Sequence, residues 1–544
     1  MRGNRRKARL CRWGLAATAA LMLCLGVASC VVARTFKWAN AGDVSAMDPY
    51  FRNETFLLAF LENIYEPLVR RSQKLELEPA LAVKWGQTAP TTWFFDLRQG
   101  VKFHDGTPFT AEDVVFSLNR ANSGGSNMKS YFVSVKEIRK VNDFRVEVDT
   151  RYPDPLLASK WAANILIMSR AWTEKHNAAV AADATKNEEN FATRNAAGTG
   201  PFMLKERRVG ERTVLVNNPD WWDKATHNLT EVVFTPIANP ATRIAALRTG
   251  DIDMTYEVPP QDTESLKRDP DIRILEGPEI RVVYLGFDHE RDELVGSSVK
   301  GRNPFKDRRV REAFYRSIDV EAIRRVVMRG QAFPAALLVP PGISGYLKQL
   351  DTRPALLKPE EAKKLLADAG YPNGFEIRMD CPNDRYVNDE KICQAVVAML
   401  ARIGVKANLL AQTRTRYFAR ILRKPDNAPG EASFFMLAWS PSITYDVHNV
   451  FETLLQTPNK ETRKGAFNVG GYSNKAFDEL ADKIEQETDK AKRDAMIREA
   501  TRLYTEDYAY IPLHQQAVIW ATRKNIELFQ PADNRFPLRF VQVK

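Results

Sequence analysis

The feature that most constrains the fold is an alternation of strand and helix patterns between residues 375 and 438. Short apolar runs with the length of buried strands alternate there with segments whose apolar residues recur every three or four positions. The predicted elements are strand Phe375–Met379, helix Asp389–Ile403, strand Val405–Leu410, helix Arg414–Leu422 and strand Phe434–Ala438. Because strands that alternate with helices pair into a sheet whose faces the helices cover, the sequence predicts an α/β fold.

Further elements are predicted on either side of this run. A long amphipathic helix is predicted over Asp307–Met328, and two more over Ala476–Glu487 and Lys490–Asp507. A final strand is predicted at Val518–Ala521. Alternating elements are therefore expected through most of the chain after residue 230.

The first 33 residues have the three-part order of a secretory signal peptide. Six basic and no acidic residues stand among the first 12, and the apolar run Leu15–Val27 follows. Val31 and Ala33 occupy the two recognition positions of a cleavage site, which makes Arg34 the first residue of the mature chain. We therefore predict export with removal of residues 1–33.

Two alternatives to this cleavage stay open. Residues 15–33 are apolar enough to span a bilayer, so an uncleaved membrane anchor is one of them. The other is a lipoprotein, because Val27-Ala28-Ser29-Cys30 resembles a lipoprotein box in which Cys30 would be lipidated. The lipoprotein alternative agrees with the first interpretation on export and differs from it on tethering.

The remainder of the chain has the composition of an ordinary globular protein. Six of the 79 basic residues and none of the 68 acidic residues fall in the signal, so the nominal net charge of +11 drops to +5. No run of five like charges occurs after the signal, which argues against a nucleic-acid-binding tail. The 511 residues after residue 33 imply about three domains.

Two of the five cysteines, Cys381 and Cys393, remain after cleavage behind Ala33. An even pair in an oxidising compartment suggests one disulfide bond, with two unpaired buried thiols as the alternative. A zinc site is less favoured, because no histidine lies near either cysteine and such a site needs four ligands.

The sequence lacks the compact motifs of common hydrolases. No two of its six histidines lie within ten residues of each other, which excludes a helical His-Glu-x-x-His metal site. Neither a Gly-x-Ser-x-Gly nucleophile turn nor a P-loop is present. We therefore predict a protein that is not an enzyme and needs no metal or cofactor, although a triad scattered along the chain stays open.

Five stretches, in order along nearly the whole chain, carry a resemblance to a known family. They are Leu81–Val114, Gly198–Phe202, Asn218–Trp222, Pro304–Ala313 and Gly471–Asn474. Together they resemble the peptide/nickel class, family 5, of extracellular solute-binding proteins, which serve ABC importers. The similarity is to the dipeptide- and oligopeptide-binding members of that class.

The resemblance implies a two-lobed periplasmic binding protein fold of the large, three-domain type, with a hinge and a ligand cleft between the lobes. Lobe I would combine residues 34–65, 198–287 and 508–544, an extra domain on it would span 66–197, and lobe II would span 288–507. A cleft that closes around a ligand needs a few placed charges rather than proton transfer.

Arg385 is the first residue that the resemblance assigns to the ligand. In dipeptide-binding relatives, an arginine after the strand that follows a Gly-Tyr-Pro-x-Gly turn pairs with the ligand carboxylate, and Arg385 stands at that position. A guanidinium offers a carboxylate a planar fork of donors. A surface ion pair is the alternative role. A Cys381–Cys393 bond would hold this loop on the helix that follows it.

The position that anchors the ligand's amino group departs from the family pattern. Relatives carry an aspartate three residues after a tryptophan that ends a strand, whereas Trp439 is followed at that spacing by Ser442. We assign Trp439 and Ser442 to the ligand site, and also Asn53, which lies where relatives contact the ligand. Asp446, which would also cap a helix, or Glu54 beside Asn53 would replace the missing anchor, unless the ligand has no ammonium group there.

These features predict the periplasmic solute-binding component of an ABC import system. Its ligand would be a peptide or a similar small zwitterionic or anionic solute, and its partner would be an inner-membrane permease. The chain would act as a monomer and would not bind nucleic acid. Nickel or haem as the ligand stays open, although the sparse histidines argue against a metal held by protein alone. An exported hydrolase and a peptide-holding chaperone on the same scaffold are the alternatives.

The exported protein should begin at Arg34, or at a lipidated Cys30, because signal peptidases remove the segment before these residues. N-terminal sequencing and intact mass of the exported form check this expectation. Residues 1–20 still present on the exported chain would contradict the export signal.

Overall fold

The computed structural model describes residues 34–256, 258–424 and 426–544. The predicted signal peptide, both cleavage sites and Cys30 therefore lie outside the described residues. Within the described ranges, no helix has both the length and the apolar character of a membrane span.

The strands define the frame of the molecule. In chain order they are β1 (Thr35–Asn40), β2 (Glu66–Pro67), β3 (Val69–Arg71), β4 (Leu77–Pro79), β5 (Ala82–Ala89), β6 (Thr92–Leu97), β7 (Val135–Asn142), β8 (Arg145–Thr150), β9 (Leu166–Ile167), β10 (Phe202–Arg208), β11 (Arg212–Asn217), β12 (Glu231–Pro236), β13 (Met254–Thr255), β14 (Ile272–Phe287), β15 (Ala332–Pro334), β16 (Phe375–Pro382), β17 (Val405–Gln412), β18 (Phe434–Trp439), β19 (Tyr510–Arg523), β20 (Ile526–Glu527) and β21 (Gln542–Val543).

The α-helices are mostly short. In chain order they are α1 (Thr55–Leu61), α2 (Ala111–Ala121), α3 (Leu157–Trp161), α4 (Arg170–Lys175), α5 (Phe191–Arg194), α6 (Pro240–Thr249), α7 (Pro260–Lys267), α8 (Arg308–Tyr315), α9 (Val320–Ala322), α10 (Pro359–Asp368), α11 (Asp389–Ala401), α12 (Arg414–Ile421), α13 (Val447–Val450), α14 (Lys475–Gln486) and α15 (Lys490–Glu506).

One large mixed sheet runs through the protein. Its strands lie in the order β10-β11-β12-β1-β13-β19-β14-β18-β16-β17, and β15 also pairs with β19. The strands β16, β17 and β18 pair in parallel, with α11 and α12 as the connections. This arrangement confirms the strand–helix alternation that the sequence predicts after residue 375.

The pair β14 and β19 is the longest ladder of the sheet. Residues 272–278 of β14 pair with 517–523 of β19, and residues 282–286 pair with 510–515. The register shifts between Pro278 and Val282, so Glu279, Ile280 and Arg281 have no ladder partner on β19. Extra residues of this kind bend a strand and re-aim its side chains. The ladder therefore consists of two parts with an irregular joint between them, and a second, smaller register shift lies between Val283 and Tyr284.

Separate hydrophobic clusters lie on the two sides of this joint. The first side has one cluster, which draws on residues 36–256 together with 518–541 and includes Trp38, Phe60 and Trp520. The second side has two clusters, which draw almost entirely on residues 280–513, with Phe287 in one and Tyr284 in the other. The antiparallel sheet β5-β6-β8-β7 belongs to the first side, since its inward residues join that cluster together with α2.

The predicted helix Asp307–Met328 is wrong as a single element. The structure ends α8 at Tyr315, starts α9 at Val320 and continues with a π-helical turn over Ile323–Val327. The break has a local cause, because the Asp319 carboxylate accepts a hydrogen bond from the backbone N–H of Ala322 at 2.9 Å. That bond is a helix cap, and it begins a second helix where the apolar periodicity alone suggests continuation.

The disulfide prediction is confirmed. Cys381, near the end of β16, is bonded to Cys393 in α11. The two cysteines are 12 residues apart in sequence, and the bond ties the segment with Arg385 to the helix that follows.

Thiol titration of the exported protein under denaturing conditions should find no free thiol in the Arg34 form. Reduction should lower the free energy of unfolding by about 3 kcal/mol, because the bond restricts the unfolded chain. Denaturant titrations with and without a reductant measure this difference. The matched control is the Cys381→Ala/Cys393→Ala variant, whose unfolding should not respond to the reductant. Two titratable thiols in the exported protein would contradict the bond.

Candidate functional site

A cavity of about 390 Å³ lies between the two sides of the joint. From the first side, the start of α1, Tyr131 and Asn164 contribute to its wall. From the second side come β14, the loop after β16, and β18 with the residues that follow it. Apolar side chains and a few placed polar groups line it together, which is the usual make-up of a small-molecule site.

Arg385 lies in this wall on the loop between β16 and α11. The Asp389 carboxylate fixes the loop by accepting hydrogen bonds from the backbone N–H groups of Arg385 at 2.9 Å and of Tyr386 at 3.0 Å. The guanidinium lies over the Tyr386 ring, 5.0 Å from its centroid. In the part of the chain that the structure describes, it makes no hydrogen bond or ion pair. A half-buried cation thus faces the cavity without a counter-ion.

Burial is the main influence on this guanidinium. It lowers the pKa of Arg385; the Tyr386 hydroxyl and the Glu279 carboxylate partly oppose the lowering, while Arg281 and Arg414 add to it. Desolvation and neighbouring cations both disfavour the charged form of an arginine. An anion bound in the cavity would relieve both effects.

Arg281 is a second guanidinium in the wall, and the sequence patterns did not reveal it. It lies in the irregular joint of β14, where its Nε donates to Glu279 Oε1 at 3.0 Å. The nearby Glu279 carboxylate raises the pKa of Arg281. Pro278, which stands inside a strand pattern, was the available signal, because proline within a sheet marks an edge or a bulge.

Three more of the predicted residues reach the same cavity. Asn53 lines it, and its Oδ1 accepts a hydrogen bond from the Tyr131 hydroxyl at 3.1 Å. Trp439 lines it while its indole N–H donates to Asn449 Oδ1 at 2.9 Å, and Ser442 lines it three residues further along the chain. The structure therefore brings Arg385, Asn53, Trp439 and Ser442 together.

Asp446 requires a correction. Its carboxylate caps α13 through the backbone N–H of His448 at 2.8 Å, which confirms the predicted cap. Both carboxylate oxygens also pair with Arg493, at 2.7 and 3.0 Å, and the residue is buried away from the cavity wall. The Asp446 carboxylate, which the sequence prediction gives to the ligand, is thus paired with Arg493 inside the protein.

Glu54 lies between two lining residues without being one of them. It is exposed at the N-cap position of α1, makes no capping hydrogen bond with its side chain, and accepts a long contact of 3.4 Å from the Ser45 hydroxyl. Its assignment to the ligand stays a prediction.

The segment after β18 is held against the first side of the cavity. Arg71 donates to the carbonyl of Thr444 at 3.3 Å, and Asn164 donates to the carbonyl of Ile443 at 3.3 Å. The Tyr445 hydroxyl donates to Asp533 at 2.8 Å. These bonds fix the position of the neighbouring wall residues, and they join the two sides of the cavity directly.

Arg535 is a third arginine of the wall, and its charge is balanced within the protein. It pairs with Glu62 at 2.9 Å and lies 3.8 Å from Asp533, and its Nη2 donates to Asn164. Neither His nor Cys is among the described residues that line the cavity. No group of three or more metal-ligating side chains is found in the described ranges.

Comparison with known proteins places the chain in a family. Residues 76–462 match the sequence profile described as bacterial extracellular solute-binding proteins, family 5 Middle. The glutathione-binding protein GsiB of Escherichia coli (strain K12) is 26% identical over 516 residues, which covers 94% of this chain and 94% of the relative. The GsiB protein of Shigella dysenteriae is also 26% identical, over 507 residues that cover 92% of this chain and 93% of the relative.

Solved structures share the fold. HbpA2 from Haemophilus parasuis superposes with a TM-score of 0.79 at 23% identity, covering 94% of this chain and 100% of the other. The dipeptide binding protein from Pseudoalteromonas sp. SM9913 in complex with Met-Leu superposes with a TM-score of 0.73 at 22% identity, with coverages of 94% and 100%. The predicted fold class, a two-lobed α/β periplasmic binding protein of the large type, is confirmed. The chain therefore belongs to the family 5 bacterial extracellular solute-binding proteins.

Proposed function

We propose that this chain is the periplasmic solute-binding component of an ABC import system. It captures a peptide or a similar small zwitterionic or anionic solute in the cavity and delivers it to an inner-membrane permease. It acts as a monomer and as a binder rather than an enzyme, either free in the periplasm or tethered through Cys30. The lobes divide as the resemblance implies, with 34–65, 198–287 and 508–544 in lobe I, 66–197 in the extra domain and 288–507 in lobe II.

The unpaired guanidinium of Arg385 is the observation that carries this proposal. A half-buried charge without a counter-ion destabilises the empty site, because the cation has lost part of its hydration and the Tyr386 ring is its one close partner among the described residues. A ligand carboxylate supplies a charge-assisted and potentially bidentate partner. The Arg385 guanidinium thus supplies both binding energy and specificity for an acid.

The ligands of the relatives agree with this chemistry. The relatives are described as binding glutathione and the dipeptide Met-Leu, and both molecules carry carboxylates. Around Arg385 the wall offers aromatic surface at Trp439, Phe418 and Phe467 and an amide group at Asn53. Aromatic faces and amides suit the side chains and peptide groups of a short peptide.

Replacing Arg385 by alanine should weaken ligand affinity at least about thirtyfold, since truncating one partner of a desolvated charge pair costs about 2–5 kcal/mol. Arg385→Lys should rescue only part of the loss, because lysine keeps the charge and loses the fork. Calorimetric titration with glutathione and a panel of dipeptides, Met-Leu included, measures the change.

Arg416→Ala is the matched control for this experiment. Arg416 is an exposed arginine on α12 and lies outside the cavity wall, so its removal should leave affinity within about twofold. Thermal unfolding should stay unchanged in both variants because the disulfide and α11 remain. An alanine variant at position 385 that binds as tightly as wild type would show that Arg385 does not anchor the ligand.

A further inference from the structure

We infer that Arg281 is a second anion anchor and that the ligand therefore carries two acidic groups, such as two carboxylates. This inference rests on the proposed function and narrows its ligand class from any small peptide-like acid to a diacid. It also assigns a binding role to a residue that the motifs of the sequence do not mark.

The backbone of β14 directs Arg281 to the cavity. In a regular strand, successive side chains point to opposite faces of the sheet. Residues 279–281 fall in the register shift between the two parts of the β14–β19 ladder. Bulges of this kind recur beside binding sites, where they turn a side chain out of the regular pattern. As a result Arg281 lines the cavity while Glu279, two residues earlier, does not.

Glu279 holds the guanidinium by one edge only. Its Oε1 accepts the Arg281 Nε–H at 3.0 Å, and its Oε2 accepts a weaker contact from Gln516 Nε2 at 3.4 Å. Glu279 is itself buried, with 8% of its surface exposed. The two terminal nitrogens of Arg281 have no hydrogen-bond partner among the described residues. The pair thus fixes the orientation of the guanidinium and leaves its outer edge available to a ligand.

Two guanidiniums on one cavity wall repel each other when the cavity holds no anion. The proximity of Arg281 is one of the influences that lower the pKa of Arg385. Arg535, the third arginine of the wall, differs from Arg281 because its terminal nitrogens already donate to Glu62, to the carbonyl of Ala163 and to Asn164. A ligand with one carboxylate can neutralise Arg385 alone. A ligand with two acidic groups can engage both forks, because each offers paired donors to a carboxylate.

The competing explanation is that Arg281 serves only to pair with Glu279 and stabilise the bend in β14. The two explanations differ in what happens when either partner is replaced. Glu279→Gln breaks the ion pair and keeps the cation, and its amide oxygen can still accept the Nε–H. Arg281→Gln breaks the pair and removes the cation. If the pair is only structural, both substitutions should change ligand affinity alike. If Arg281 is an anion anchor, only Arg281→Gln should lower the preference for a diacid.

Calorimetric titration with acid–amide pairs tests the inference. The probes are Ala-Glu against Ala-Gln, and glutathione against its glycine amide, with Ala-Ala and Met-Leu as ligands that carry one carboxylate. Wild-type protein should bind at least one diacid ten times or more tightly than its amide partner. Arg281→Gln should reduce that preference to within about twofold while the affinity for the amide partner stays unchanged. Glu279→Gln should keep the preference.

Each remaining outcome overturns the inference. Equal binding of diacid and amide by wild type would do so, as would an Arg281→Gln variant that loses affinity equally for both. Binding confined to Ala-Ala or Met-Leu would overturn the diacid class and leave the proposed function standing. If the Arg385 variants lose binding while Arg281→Gln binds like wild type, the diacid class is also overturned and the proposed function stands. No binding of any probe would count against the diacid class and against the proposed peptide-like ligand together.

Discussion

The strands β14 and β19 run antiparallel through the middle of the large sheet, and the parts of the sheet on either side of their joint carry different hydrophobic clusters. Long paired strands give a connection that resists separation, because each added residue contributes ladder hydrogen bonds. This connection is most irregular at residues 279–281, which have no ladder partner on β19, and its register shifts again between Val283 and Tyr284. In a two-lobed binding protein, bending is expected at such short connecting segments, and the cavity wall begins there.

Charge balance separates the arginines of the cavity into different roles. Arg535 is buried and matched by carboxylates of the protein, so it behaves as part of the framework. Arg281 is matched along one edge, and Arg385 is unmatched among the described residues. Buried charges are stable only when they are paired. The charges of the protein are therefore balanced at Arg535 and unbalanced at Arg385, where under the proposed function a ligand carboxylate would supply the balance.

Sequence reasoning could predict local elements and the positions that a family resemblance marks. The strand–helix run after residue 375 and the place of Arg385 follow from periodicity and from the resemblance. The prediction for Asp446 failed because its partner, Arg493, lies 47 residues further along the chain, and no local pattern reveals that pairing. Arg281 escaped prediction because a bulge depends on the register between β14 and β19, which meet only in the folded protein. Pro278 hinted at the irregularity without showing which side chain it exposes.

A crystal structure of the protein purified from its native host, together with the molecule that it retains, tests most directly whether Arg385 anchors an acid. We predict a small acid in the cavity, with a carboxylate oxygen about 2.7–2.9 Å from the Arg385 guanidinium. Native mass spectrometry of the same preparation identifies the retained mass. A molecule bound outside the cavity, or one that presents an uncharged or cationic group to Arg385, would contradict this role.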